Sequence, residues 1–312
     1  MITTGPLAGV DATPGIAKPD PILVVDGMVK RFGGLKAVDV GHLEVQRGAI
    51  TALIGPNGAG KTTFFNLLTG FDRPDSGSVV FDGRPLGTRL SPNRLAREGM
   101  VRTFQLTKSL TRLSVIENMK LGPNGQRGEG FLSAMVRPLW IDQERAIERR
   151  AEGVLARFRL DHMRDEFAGT LSGGQRKLLE MARALMTDPR LVMLDEPTAG
   201  VNPALTQSLL EHVIALRDEG MTVIFVEHDM DVVQTISDWV VVMAEGEIIA
   251  EAPPAEIGTN PRVIDAYLGA RHDTPLSLEE EEEVLELVEQ EVERLAEEQP
   301  DVKPDQAEEE AP

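Results

Sequence analysis

The stretch Gly55-Pro56-Asn57-Gly58-Ala59-Gly60-Lys61-Thr62 decides the fold class of this chain. It directly follows the apolar run 51–54 and directly precedes the helix-like run 63–68, which begins at Thr63. Glycines let backbone N–H groups converge on phosphates, and the N-terminus of the next helix adds positive dipole. Lys61 is placed to reach the β- and γ-phosphates, and the Thr62 hydroxyl to ligate Mg²⁺. The stretch predicts a triphosphate-binding loop; the alternative is a glycine-rich turn that matches by chance.

The pattern along the chain is that of an α/β protein. Helical segments alternate with β-branched, strand-like runs at 22–25, 50–54, 78–81, 191–194, 222–226 and 239–243. Between Leu113 and Asp165 the sequence becomes polar, Arg-rich and helical. We therefore predict a P-loop NTPase sheet core with a helical subdomain inserted at about residues 113–185.

Composition narrows the class of protein. The 312 residues are 41% hydrophobic and include no cysteine, which excludes disulfides and thiol chemistry. No apolar run approaches the roughly 18 to 20 residues that a membrane-spanning helix needs. Net charge is −19, and an acidic balance argues against DNA or RNA as a partner. The expectation is a soluble, cytoplasmic protein with at most a peripheral membrane role.

The two ends of the chain differ from its centre. Residues 1–20 lack a basic region followed by an apolar core, so we expect a disordered leader rather than a secretory signal. The predicted core domain covers 21–271, and residues 272–312 form an acidic tail. From Asp273 onward the chain has 17 acidic and two basic residues. Within it, a narrow apolar stripe predicts a helix at about 277–298, although a solvated, partly disordered tail is the competing interpretation.

A second catalytic candidate ends the apolar run at 191–194. Asp195 at the tip of this predicted strand is placed to hold Mg²⁺, directly or through water. Glu196 beside it is a candidate general base that polarises the attacking water. Two solvated carboxylates at a strand end are the alternative, which the upstream phosphate-binding loop makes the weaker one.

The run Leu171-Ser172-Gly173-Gly174-Gln175 resembles the signature motif of the ABC ATPases. The same anion-binding logic applies here to a hydroxyl, backbone N–H groups and a helix N-terminus; a polar helix cap is the alternative. The resemblance covers about residues 22–269 and implies the ABC ATPase type of fold. It also implies MgATP binding and hydrolysis, with Ser172 to Gln175 facing the γ-phosphate bound by a second ABC ATPase subunit, in a homodimer or with a paralogue.

Three further positions match the same family. Gln105 resembles the Q-loop glutamine, which senses Mg²⁺ and water and touches the transmembrane permease. His228 resembles the switch histidine at the γ-phosphate, and Phe32 lies where the family stacks a ring on adenine. Each residue taken singly has an ordinary structural alternative: a surface amide, a capped strand-end histidine and a core ring.

Several segments are similar to the branch that serves branched-chain amino acid importers. They are Gly70-Phe71, Ala199-Gly200-Val201-Asn202, Glu227-His228-Asp229-Met230 and Asp265-Ala266-Tyr267-Leu268-Gly269. The resemblance implies permease subunits as partners and, indirectly, an extracytoplasmic solute-binding protein, with the chain peripheral on the inner face of the cell membrane. The alternatives are a urea or lipopolysaccharide transporter, a non-transport ABC ATPase, and a regulatory protein that binds nucleotide without hydrolysing it.

Overall fold

Two β-sheets carry the fold in the computed structural model, which describes residues 6–87, 91–103, 111–125 and 140–272. The smaller sheet is antiparallel and consists of β1 (Pro21–Phe32), β2 (Leu35–Gln46), β4 (Ser76–Phe81) and β5 (Arg84–Leu86). The larger sheet consists of β3 (Ile50–Ile54), β6 (Met100–Arg102), β7 (Leu191–Asp195), β8 (Thr222–Val226), β9 (Trp239–Ala244) and β10 (Glu247–Ala252). Their spatial orders are β2-β1-β4-β5 and β10-β9-β3-β8-β7-β6. All six strand-like runs of the sequence are therefore strands.

Helices connect these strands in the order expected of an α/β protein. The described helices are α1 (Lys61–Leu68), α2 (Pro92–Glu98), α3 (Val115–Lys120), α4 (Ile141–Arg157), α5 (Gly173–Leu185), α6 (Pro203–Asp218), α7 (Met230–Ile236), α8 (Pro254–Ile257) and α9 (Pro261–His272). Two short 3₁₀ turns lie at Asp161–Met163 and Ala168–Thr170. Between β6 and β7 the described residues form helices and turns, apart from a single bridge between Ser114 and Phe167. This arrangement is the predicted helical insertion.

The centre of the larger sheet is parallel and buried on both faces. Every residue of β3 and of β8 is buried, and both strands are rich in β-branched side chains. Parallel strands covered on two faces have this near-continuous apolar composition. Across the sheet, Leu53 of β3 lies opposite Val226 of β8, which lies opposite Asp195 of β7. The chain therefore leaves three neighbouring strands at the same edge.

The segment before β1 packs onto the sheets. Leu7 is buried, and the Lys18 ammonium lies 3.0 Å from the Glu251 carboxylate on β10, with both side chains almost fully buried. Glu251 also accepts hydrogen bonds from the Gly15 N–H at 2.8 Å and from the Trp239 Nε1–H at 3.1 Å. Burial lowers the pKa of Lys18, and the Glu251 carboxylate opposes that shift. These contacts argue against a disordered leader over residues 6–20. The local composition could not reveal them, because the partner Glu251 lies far away in the sequence.

Removal of the Lys18 charge should destabilise the protein. Lys18→Met leaves Glu251 buried with two neutral donors, so we expect the free energy of unfolding to fall by about 3 kcal/mol. Urea denaturation measures this difference. The matched control is Lys36→Met, which removes a more exposed ion pair with Asp39 and should cost less than about 1 kcal/mol. Equal losses in the two variants would show that the buried ion pair stabilises the protein no more than the exposed one does.

Within the described residues, no helix combines the length and the apolar composition needed to span a bilayer. By contacts the chain divides into residues 1–267 and 268–312. The predicted acidic tail and its helix at about 277–298 lie outside the described residues, so they stay predictions.

Candidate functional site

The phosphate-binding loop joins β3 to α1 at the carboxyl edge of the larger sheet. Gly58 and Gly60 have φ angles of 79° and 95°, in the left-handed region that glycine adopts without strain. Gly60 is also the N-cap of α1, and no side chain caps that helix terminus. Its first N–H groups are thus available to an anion, which is the geometry the sequence predicted.

Glycine is also required in this loop because other backbone segments approach it closely. A Cβ atom on Gly60 would lie 2.3 Å from the carbonyl oxygen of Ala37 on β2. A Cβ atom on Gly55 would lie 2.0 Å from the carbonyl oxygen of Met243 on β9. Both distances are far below van der Waals contact, so the loop is held between the two sheets and cannot accept a larger residue at either position.

Lys61 begins α1 and turns its side chain back over the loop. Its ammonium donates to the carbonyl oxygens of Gly55 at 2.6 Å and Pro56 at 3.0 Å. Burial lowers the pKa of Lys61, and the Glu196 carboxylate opposes that shift. Glu196 is therefore close enough to interact electrostatically with the lysine, although the two residues are far apart in sequence.

Thr62 and Thr63 follow Lys61 in the first turn of α1. Thr62 is exposed and Thr63 half-buried, and within the described part of the chain neither hydroxyl has a hydrogen-bond partner. The Thr62 hydroxyl is thus free to act as a ligand beside the loop.

Asp195 ends β7 and is paired with Arg102, a residue that no sequence motif singles out. Arg102, at the end of the neighbouring β6, forms an ion pair with the Asp195 carboxylate and is nearly fully buried. The same guanidinium donates to the Asn66 side-chain oxygen on α1 at 2.6 Å. Arg102 therefore links the predicted metal ligand to the helix that follows the phosphate-binding loop.

Glu196 follows Asp195 in an unusual backbone conformation. Its φ angle is 46°, in the left-handed region that non-glycine residues rarely adopt. Its side chain is exposed, and its N–H donates to the Val226 carbonyl oxygen at 3.0 Å. Strained non-glycine residues of this kind occur at functional sites, and Glu196 stays the predicted catalytic carboxylate.

His228 lies two residues beyond the end of β8, at the same edge of the sheet. Its side chain is 69% exposed, so it is accessible to a ligand and is not a core histidine. The neighbouring Glu227 is buried, and its carboxylate accepts from the Thr198 N–H at 3.0 Å and the Thr198 hydroxyl at 2.5 Å. Glu227 thereby ties the His228 loop to the loop that follows Glu196.

The predicted signature motif forms the N-terminus of α5. Ser172 is its N-cap: the hydroxyl oxygen accepts from the Gln175 N–H at 3.3 Å, and the Gln175 side chain accepts from the Ser172 N–H at 2.9 Å. This capping box is the structural alternative named above, and it leaves the serine O–H able to donate. Gly173 is exposed, whereas a Cβ atom on Gly174 would lie 2.6 Å from Leu205 on α6. Close packing against Leu205 therefore requires glycine at position 174. Gly173 instead leaves the N-terminus of α5 open to a ligand.

The two remaining predicted residues are Phe32, which lies at the end of β1, and Gln105, which is not among the described residues. Phe32 ends β1 with 51% of its surface exposed, and the Lys30 ammonium lies 5.1 Å from its ring centroid. An exposed aromatic ring at a hairpin that approaches the loop through β2 fits a stacking role better than a core role. Gln105 lies outside the described residues.

Comparison with known proteins agrees with this geometry. Residues 38–199 match the family model described as ABC transporter, and residues 247–273 match that of the branched-chain amino acid ATP-binding cassette transporter. A probable branched-chain amino acid transport ATP-binding protein LivG from Archaeoglobus fulgidus is 44% identical over 250 residues, which cover 80% of this chain and 96% of that protein. The chain belongs to the ABC transporter family of ATP-binding proteins. It is an ATPase whose hydrolysis is coupled to transport.

Two further relatives support the ABC assignment. The high-affinity branched-chain amino acid transport ATP-binding protein BraF of Pseudomonas aeruginosa is 42% identical over 251 residues, covering 80% of this chain and 98% of that protein. A crystal structure of the ADP conformation of an ATP-binding cassette superposes with a TM-score of 0.70 at 39% identity, covering 80% of this chain and 99% of that one. The α/β fold with the P-loop NTPase core of the ABC ATPase type is therefore confirmed, and ABC proteins of this kind work with membrane permease subunits.

Proposed function

We propose that this chain hydrolyses MgATP to drive the import of branched-chain amino acids through permease subunits at the inner face of the cell membrane. The observation that carries the proposal is that Lys61, Glu196 and His228 follow three neighbouring strands at the same edge of the larger sheet, with the signature helix α5 bonded to the Glu196 loop. Support for the transported solute comes from the relatives, LivG and BraF, and from the match of residues 247–273. Those similarities favour this solute class over urea or lipopolysaccharide.

The proposed site binds ATP through the phosphate-binding loop. Backbone N–H groups of 55–62 and the N-terminus of α1 surround the phosphates, and Lys61 exchanges its two carbonyl partners for phosphate oxygens. Phe32 stacks on the adenine ring. The uncapped N-terminus of α1 after a glycine-rich loop supports this assignment.

A magnesium ion fits the same site. Mg²⁺ prefers oxygen ligands and is commonly held by one or two side chains together with substrate phosphates. Thr62 and Asp195 supply such oxygens, with Gln105 as a further candidate, and metal binding at Asp195 competes with its ion pair to Arg102. When bound at these residues, Mg²⁺ would supply positive charge to offset the charge that develops on the phosphates.

Hydrolysis in the proposed site runs through Glu196. Water attacks the γ-phosphorus, the bond to the bridging oxygen breaks, and Glu196 orients the water and accepts its proton. Lys61 and His228 stabilise the charge on the transferred phosphoryl group. The electrostatic interaction between the Glu196 carboxylate and Lys61 supports this division of roles.

Completion of the site requires a second cassette, either another copy of the chain or a paralogue. The run Ser172 to Gln175 of one subunit meets the γ-phosphate held by the other through the Ser172 hydroxyl and backbone N–H groups, so ATP joins the pair and hydrolysis releases it. The exposed serine and glycine at the N-terminus of α5 support this role, because that helix terminus attracts an anion.

Copurification with the membrane partners tests the proposed function. The chain is isolated with its permease subunits, reconstituted in vesicles with the solute-binding protein, and assayed for ATP turnover. Leucine, isoleucine or valine should raise turnover several-fold, whereas urea should not. Stimulation by urea alone, or no stimulation by any of these amino acids, would contradict the assignment of the solute.

A further inference from the structure

The Lys177 side chain joins the signature helix to the loop that carries Glu196. Lys177 lies on α5, five residues after Ser172. Its ammonium donates to the backbone carbonyl oxygens of Glu196 at 2.9 Å and of Ala199 at 2.5 Å. One side chain thus connects α5 with the Glu196 loop. In the proposed function these two elements belong to different ATP sites.

The contact reaches the strained peptide of the catalytic candidate. Glu196 adopts a left-handed conformation that is unfavourable for a non-glycine residue, so its surroundings must hold it there. Its N–H donates to the Val226 carbonyl oxygen on β8. Its carbonyl oxygen accepts from the Ala199 N–H at 3.2 Å and also from the Lys177 ammonium. The direction of the Glu196 side chain therefore depends on bonds made by its own backbone.

The opposite side of this loop is held by Glu227. Its buried carboxylate accepts from the N–H and hydroxyl of Thr198, and from the His228 N–H at 3.3 Å. Burial lowers the pKa of Lys177, while the carboxylates of Glu227, Glu180 and Glu196 oppose the shift. An ammonium group makes stronger hydrogen bonds to carbonyl oxygens than a neutral donor does, so Lys177 is suited to hold this loop.

We propose that Lys177 is a positioning residue that sets the direction of the Glu196 carboxylate according to the position of α5. The inference rests on the proposed function, in which Glu196 is the general base and α5 meets ATP held by the second cassette. Engagement of the signature helix at one site thereby fixes the base at the other site of the same chain. Such a connection couples the two ATP sites through one side chain.

Kinetics of Lys177→Met in the full-length chain test this role. We expect kcat to fall at least about tenfold, because a displaced base loses the attacking water, while KM and ATP affinity stay within twofold. Lys177→Arg, which keeps a donor, should recover part of the lost turnover. The matched control is Lys120→Met, which removes an ion pair with Glu144 in the helical insertion and should leave kcat within twofold.

A second background separates positioning from a role in building the signature surface. Glu196→Gln is expected to form ATP-dependent dimers without turnover, and adding Lys177→Met to it should leave dimer formation intact. Loss of those dimers would overturn the proposal, since it would show that Lys177 shapes the signature. Wild-type kcat in Lys177→Met would overturn it as well, provided that Glu196→Gln is inactive. Wild-type turnover in Glu196→Gln would instead refute the proposed base itself.

Discussion

Glu196→Gln should lower ATP turnover by about 10²- to 10⁴-fold, the range that a general base contributes. The amide keeps the size of the side chain but cannot take the proton of the attacking water. Nucleotide binding depends on the loop 55–62 and should be unchanged. The variant should therefore accumulate ATP-bound dimers, and turnover assays combined with mass measurement in ATP and in ADP would detect them.

The structure offers a matched control for this variant. Glu245 is also exposed, also follows a strand of the larger sheet, and has a φ angle of 50° against 46° for Glu196. Glu245→Gln removes the same charge from the same backbone conformation at a position without a proposed catalytic role. Its turnover should equal that of the wild type. Equal turnover in both variants would show that Glu196 is not the base.

Gly55→Ala should weaken ATP binding, with affinity falling at least about a hundredfold. The new methyl group would overlap the Met243 carbonyl oxygen at 2.0 Å, and the φ angle of 147° is itself unfavourable for alanine. Either the loop or β9 must move, so the N–H groups no longer converge on the phosphates. Fluorescent ATP titration measures the loss, and urea denaturation should show a lower free energy of unfolding.

Gly83→Ala is the control for backbone strain alone. Gly83 has a φ angle of 71°, but no atom lies within 4 Å of its added Cβ. We expect a loss of only about 1 kcal/mol in the free energy of unfolding, with unchanged ATP affinity. ATP binding by Gly55→Ala at the wild-type affinity would contradict the close approach described here.

The parts that sequence reading could predict are those set by local pattern. Two motifs consist of consecutive residues: the glycines and lysine of 55–62, and the capping pattern from Ser172 to Gln175. The buried composition of β3 and β8 is equally local. Lengths and burial of the central strands follow from the same short-range signals. These features were enough to predict the fold class and to select the candidate residues.

Other features depend on contacts between distant segments and left no local signal. The ion pair of Arg102 with Asp195 and the bonds from Lys177 to the Glu196 loop form only after β6, β7 and α5 are packed. The packing of the segment before β1 was also not predictable. Its Gly- and Pro-rich composition is that of a linker, and the ion pair between Lys18 and Glu251 joins residues far apart in the sequence. Sequence alone also does not reveal that Gly174 is needed for packing on α6 rather than for access.

Complementation between two inactive variants tests most directly the claim that each ATP site is built from two chains. Gly173→Asp places a negative charge at the exposed signature without filling packed space, and Glu196→Gln removes the base. Dimers of either variant contain no working site, whereas a mixed dimer contains one.

The measurement is ATP turnover of the mixture, with mixed dimers identified by native mass spectrometry. The account predicts turnover well above the sum of the two variants measured alone, because Glu196 of one chain meets Gly173 of the other. Mixed dimers whose turnover is no higher than that sum would contradict the shared site.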